Sequence, residues 1–116
     1  MIDIKQLRVG NLIYGGKGID LIFDVQPQDF ETIEKYPHNY LSIPLTEELL
    51  IKCGFEKQMS WTFKIDLIGN KYLVYYLGEK GWSIGNKDYS DFDCKYLHQL
   101  QNLYFALTNK ELEVNL

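Results

Sequence analysis

Two histidines and two cysteines are the side chains in this sequence best suited to chemistry: His38 in YPHNY, Cys53, Cys94 and His98. Imidazole and thiolate can ligate zinc together, or pair as base and nucleophile. Zinc sites draw ligands from closely spaced pairs. No pair among these four has that spacing, so no metal site is expected. Cys94 and His98 stand at i and i+4, neighbours on a helix surface, and a helix N-terminus can lower a thiol pKa. Cys94, however, falls on the edge of an apolar arc, where a thiol is inert packing. No catalytic residue and no cofactor is expected.

The acids Asp20, Asp24, Asp29, Glu31 and Glu34 come without a base until Lys35. Such an array could present oxygen ligands to a cation, but it lacks the spacing and glycine of a calcium loop. A solvated acidic edge is expected, which would also discourage edge-to-edge strand pairing. Gly15-Gly16-Lys17-Gly18 has no Ser or Thr after the lysine and is followed by a strand pattern, unlike a phosphate loop. It reads as a hairpin turn whose glycines supply positive φ. Lys64, Lys71, Lys80 and Lys87 interleave with Trp61, Tyr72, Tyr75, Tyr76 and Trp82, a composition that could stack exposed bases. No defined nucleic-acid motif accompanies it. Strands this aromatic bury one face, and lysines line the other.

These residues must be positioned by a small set of elements. The densest apolar load lies in Asp93–Asn109, read as a helix with Asp93 as cap and Asn109 as the left-handed terminator. At 100° per residue, Tyr96, Leu97, Leu100, Leu103, Tyr104 and Leu107 share one arc, extended by Cys94 and Phe105. Lys95, His98, Gln99 and Asn102 take the opposite side, so His98 reads as a solvated surface histidine. Gln101 projects inside the apolar arc and needs hydrogen-bond partners if buried. It ties the helix to a nearby loop backbone or recognises a partner. The arc is wider than one sheet requires, and its Gln101–Phe105 edge mixes polar and aromatic groups as interface cores do.

Earlier in the chain, Met1–Leu7 suggests one helical turn, and Asn11–Tyr14 with Ile19–Val25 a hairpin. In the second strand Ile19, Leu21, Phe23 and Val25 share a face. A short helix is expected around Asp29–Glu34, then a strand at Tyr40–Ile43. IPLTEELLIKCGF carries a Thr46 cap, a Leu45–Leu50 staple and a Gly54 Schellman closure onto Phe55. Trp61–Leu67, Tyr72–Leu77 and Trp82–Ile84 form an antiparallel meander. Gly85–Phe92 reads as a polar loop, and Leu112 and Val114 as a tail packed on the body.

At 116 residues, 46% hydrophobic and 24% charged, the chain is expected to be one globular α+β domain with a core of its own. Nine tyrosines lead an aromatic content of 15%, which suits half-exposed surfaces or sheets. A net charge of −4 argues against a general nucleic-acid binder. Asp3, Lys5 and Arg8 interrupt any signal-peptide core, and no apolar run reaches bilayer length. A cytoplasmic protein with reduced thiols and no membrane partner is the expectation.

LRVGNLIY, IPLTEELLIKCGF and KYLHQLQNLYFALTNKEL together resemble an uncharacterised family of short proteins from bacterial genomes, phages and prophages. HQLQNLYFAL is the most specific of these blocks. Members tend to carry a tryptophan where this chain has Leu49 and a glycine where it has Asn109. The resemblance implies an accessory gene and supplies no catalytic residues. By analogy, the opening block looks like the start of an SH3-like barrel, so the expected fold is a small antiparallel β segment packed with a short helix, a three-stranded meander and a C-terminal helix.

The expected function is a non-enzymatic module that binds a protein partner, a second copy of the chain being one candidate. The alternative is a nucleic-acid-binding module using the aromatic, lysine-bearing sheet. An enzyme built on Cys94 or an acidic pair ranks third. The candidate interaction residues are Gln101, Tyr104, Phe105, His98, Trp82 and Tyr75.

Overall fold

The computed structural model describes residues 2–15, 21–58, 62–69, 71–76, 81–84, 87–89 and 94–116. It is an α+β protein with two antiparallel sheets and a C-terminal helix. The chain divides into two compact units: Met1–Pro44 with Cys94–Leu103, and Leu45–Asp93 with Tyr104–Leu116.

The first unit opens with a 3-10 turn, Ile4–Gln6, capped by the Asp3 carboxylate accepting from the Lys5 amide. Strands β1 (Leu12–Gly15), β2 (Ile22–Asp24) and β3 (Tyr40–Leu41) form a sheet of order β2-β1-β3. Helix α1 (Asp29–Lys35) lies between β2 and β3 in sequence and buries Ile33. Ile13 faces Phe23 across the β1–β2 ladder, and Gly15 faces Tyr40 across β1–β3. These residues share the inner side with a core of Ile2, Leu7, Ile13, Val25 and Ile33, against which Ile4, Phe23, Phe30 and Tyr40 pack. The small β segment and short helix expected at the N-terminus are therefore both present.

Two local expectations need correcting. Gly15 is a strand residue and is absent from the positive-φ residues described. Space requires it: a Cβ there would sit 2.2 Å from Phe23 Cε1 and 2.8 Å from Tyr40 Cδ1. The two rings, 5.6 Å apart and tilted by 59°, pack over the bare backbone. Leu21, placed by alternation with Phe23 and Val25, is 62% exposed, although its carbonyl still accepts from the Gly15 amide. Residues 16–20, with the rest of the glycine turn, Ile19 and Asp20, lie outside the described residues.

In the second unit, helix α2 (Glu47–Lys52) begins and ends as its local chemistry dictates. Thr46 Oγ1 accepts from the Leu49 amide. Gly54 adopts φ +93°, its N–H donates to Ile51 O, and the Phe55 N–H donates to Leu50 O. Those two bonds are the Schellman pair. Strands β4 (Glu56–Lys57), β5 (Thr62–Asp66), β6 (Tyr72–Tyr76), β7 (Gly81–Ile84) and β8 (Lys87–Tyr89) follow in spatial order, all antiparallel. The expected three-stranded meander is the centre of a five-stranded sheet. The expected polar loop at Gly85–Phe92 instead contains β8, whose backbone completes the edge of β7 despite a polar sequence. Phe63, Leu73, Tyr75 and Trp82 are all buried. They lie on one face by register, Phe63 opposite Tyr75 and Tyr75 opposite Trp82.

Helix α3 runs Leu97–Thr108, later than expected. Cys94 and Lys95 are not helical, and Tyr96 forms an isolated bridge with Pro44. The helix starts where the Leu97 amide donates to Ile43 O, and the Gln99 side chain reaches back to accept from the Lys95 and Tyr96 amides. That is the returning half of a capping box. Asp93 lies outside the described residues, four positions before the first helical residue. Asn109, at φ +57°, closes the helix with its N–H on Phe105 O. Leu112 is buried and the Asn115 amide donates to Lys52 O, so the tail packs within the second unit.

Candidate functional site

The first two turns of α3 carry His98, Gln99, Gln101 and Asn102, polar groups without charge. In the first unit they meet the segment 6–12, which includes the 3-10 turn and the start of β1. Gln101 Oε1 accepts from the Leu12 amide at 2.8 Å, and its Nε2 donates to Gly10 O at 3.1 Å. Asn102 Nδ2 donates to Gln6 O at 2.8 Å. Asn102 Oδ1 accepts from Asn11 Nδ2 at 2.8 Å and from Arg8 Nε at 3.1 Å. Asn11 is fully buried, and its Oδ1 accepts from the Arg8 amide at 2.7 Å. Each of these amides is spent on a neighbour that would otherwise hold an unpaired backbone or side-chain group.

His98 joins this arrangement through Gln6. It is 1% exposed, which corrects its reading as a solvated surface histidine. The helix face it occupies is covered by the N-terminal turn, so polarity there marks a buried network. His98 Nε2 lies 3.3 Å from Gln6 Oε1, which also accepts from Gln99 Nε2 at 3.2 Å. An oxygen that accepts from Gln99 requires the proton on His98 Nε2, leaving Nδ1 bare. Nδ1 is buried without a hydrogen-bond partner. The Tyr96 ring stacks parallel to the imidazole at 6.0 Å and 8°. Burial pushes the His98 pKa below its ordinary value, and the Asp3 carboxylate opposes that shift.

The other expected interaction residues scatter. Gln101 is 3% exposed with both amide atoms engaged, so it is a structural tie and is not presented to a partner. Trp82 and Tyr75 are likewise corrected: at 1% and 7% exposure they form the core of the second unit and offer no free face for a base. Their rings lie 4.7 Å apart, and Phe55 meets Trp82 edge-on at 6.1 Å. On the other side of that sheet, Lys64 Nζ sits 4.6 Å from the Tyr72 ring centroid and Tyr76 Oη lies 3.3 Å from Ser83 Oγ. Tyr104 and Phe105 are half-buried, as is Leu103, while Leu100 is fully enclosed.

The second unit holds a cleft of about 280 Å³ lined by Cys53, Gly54, Ile65, Tyr104 and the tail from Lys110 to Asn115. Burial pushes the Cys53 thiol up to about 12, so it stays protonated and unreactive at neutral pH. Cys94 is also buried and, lying before the helix, is not placed against His98 by helical spacing. Among the described residues, no group of three or more His, Cys, Asp or Glu side chains could hold a metal ion, and no helix is long and apolar enough to cross a membrane.

One surface feature escaped the sequence reading. The outward side of the β2-β1-β3 sheet carries Ile22, Tyr14 and Leu41 in register, with Tyr14 opposite both neighbours. Ile22 is 38% and Leu41 41% exposed. The pairing is a tertiary fact, since Leu41 is brought beside Tyr14 by a strand of two residues. The amide network had a signal that was missed: the segment Leu97–Thr108 contains no charged residue. Gln and Asn both donate and accept, which suits a helix side that must pair with a neighbouring backbone. No family model, curated protein or solved structure matches the chain.

Proposed function

We propose that the protein is a non-enzymatic protein-interaction module that contacts its partner through the outward side of the β2-β1-β3 sheet. The observation that carries this reading is the cross-strand row Ile22–Tyr14–Leu41. On a half-solvated antiparallel sheet those positions are ordinarily polar. Three apolar or aromatic side chains in one row form a contiguous surface, and contiguous surfaces mark contact sites where isolated apolar residues do not. Tyrosine at the centre supplies a large apolar body with a polar tip, the composition favoured at interfaces. The resemblance to short bacterial and phage or prophage proteins fits the same reading, with a cytoplasmic accessory protein acting by contact and without a cofactor.

A photo-crosslinking amino acid at position 41 tests this against the same probe at position 34, an exposed site on α1. A defined protein adduct at position 41, absent at 34, is expected. Equal labelling at both positions, or none at 41, defeats the reading. An adduct to a second copy would make the partner the chain itself.

A further inference from the structure

Among the described residues of the first unit, one buried titratable side chain is left incompletely satisfied by its packing. His98 is 1% exposed, shares Gln6 Oε1 with Gln99, and holds Nδ1 without a partner. Gln6 is also held through its backbone oxygen by Asn102. The turn Ile4–Gln6 is thus docked on the first turns of α3 by three hydrogen bonds to one residue, and one of the three ends on the imidazole. We propose that His98 is a proton-sensitive latch: a proton on Nδ1 releases the Ile4–Gln6 turn from α3 while the second unit stays folded.

The reason is geometric. A second ring N–H would point into a site that offers it no acceptor, and a buried charge without compensation is strongly disfavoured. His98 is also the second residue of α3, where the positive end of the helix dipole opposes a cation. Among the described residues, the groups that face the ring are Asp3, Tyr96, Gln6 and Gln99. Asp3, at the cap of the docked turn, favours a proton; Tyr96 stacks on the ring; Gln6 and Gln99 are neutral. Burial outweighs Asp3, and the folded-state pKa lies below the ordinary 6.5. An opened or unfolded chain therefore binds more protons than the closed one in this range. The latch is fully closed above pH 6.5 and weakens as pH falls below it, by at most tenfold per pH unit for a single proton. Opening would uncover the polar face of α3 at His98, Gln99 and Asn102.

Backbone amide exchange measured between pH 7.5 and pH 5 tests the proposal on the intact chain. Protection of the Gln6 and Leu7 amides, which donate to Asp3 O and Ile4 O, is expected to fall severalfold or more below pH 6.5. Protection of the Val74 amide in β6 is expected to hold. In His98→Gln, which keeps a donor for Gln6 but cannot titrate, the pH dependence at Gln6 and Leu7 should vanish. The same loss of protection in the variant overturns the proposal, as does a parallel loss at Val74. Should the variant fail to fold, the wild type decides alone: a loss of protection at Gln6 and Leu7 that tracks the His98 ring titration, with Val74 held, supports the latch, and ring titration without that loss overturns it.

Discussion

Gln101 and Asn102 in the first unit and Tyr75 and Trp82 in the second are all largely or wholly withdrawn from water, by unlike means. In the second unit rings lie on rings, with Trp82 between Tyr75 and Phe55. That contact is non-directional, and loss of one member leaves the others apolar and merely less well packed. In the first unit amides bond to amides and to backbone, through Gln101 to β1 and Asn102 to Asn11 and Gln6. Directional contacts fail differently, because removal of one partner leaves the other's polar group unpaired wherever burial keeps water from replacing it. The second unit should yield by degrees, the first by breaking a connected set.

Trp82→Ala should have the largest effect, about 3–5 kcal/mol of stability lost in denaturant unfolding, as for a large buried aromatic. A loss near 1 kcal/mol would show that the rings are not what holds the second unit. Next comes the amide set. Gln101→Leu leaves the Leu12 N–H and the Gly10 carbonyl without their partner, each at about 1–3 kcal/mol when buried. A double-mutant cycle on Asn11→Ala and Asn102→Ala sharpens the contrast, because bonded neighbours should couple by about 0.5–3 kcal/mol. Strict additivity would dissolve the distinction between the two units. Gly15→Ala should cost about 1–3 kcal/mol as an overpacked site under Phe23 and Tyr40; a neutral result would mean both rings swing aside freely. Leu41→Lys should move stability by no more than about 0.5 kcal/mol, as surface changes do, so that any lost binding reports on contact alone. Smallest is the expected reaction of Cys53 with iodoacetamide at pH 8, undetectable in the folded chain and prompt in denaturant, since its thiol is held up at about 12. Prompt native-state labelling would show that the second unit opens around α2.

Where one short stretch contains all the partners, the sequence alone determined the outcome. Thr46, Leu49, Gly54 and Phe55 specify both ends of α2 within ten residues, and Asn109 specifies the end of α3. The alternation of Phe63 and Ile65 against Thr62, Lys64 and Asp66, and the apolar run that starts at Tyr72, likewise specified the meander and the α+β class, because both patterns are local. The tie through Gln101 was foreseen as a need for partners, but Leu12 and Gly10 lie about ninety residues away and no local rule names them. His98 was misjudged for the same reason. A helical wheel ranks faces by polarity, and the N-terminal turn covers the polar one. The strand β8 and the start of α3 at Leu97 were decided by backbone pairing with β7 and with Ile43, which polar or apolar character does not encode. The same holds for the candidate contact face: Leu41, Tyr14 and Ile22 become one row only when β3, distant in sequence, settles into register beside the β1–β2 hairpin, and register is set by the whole sheet.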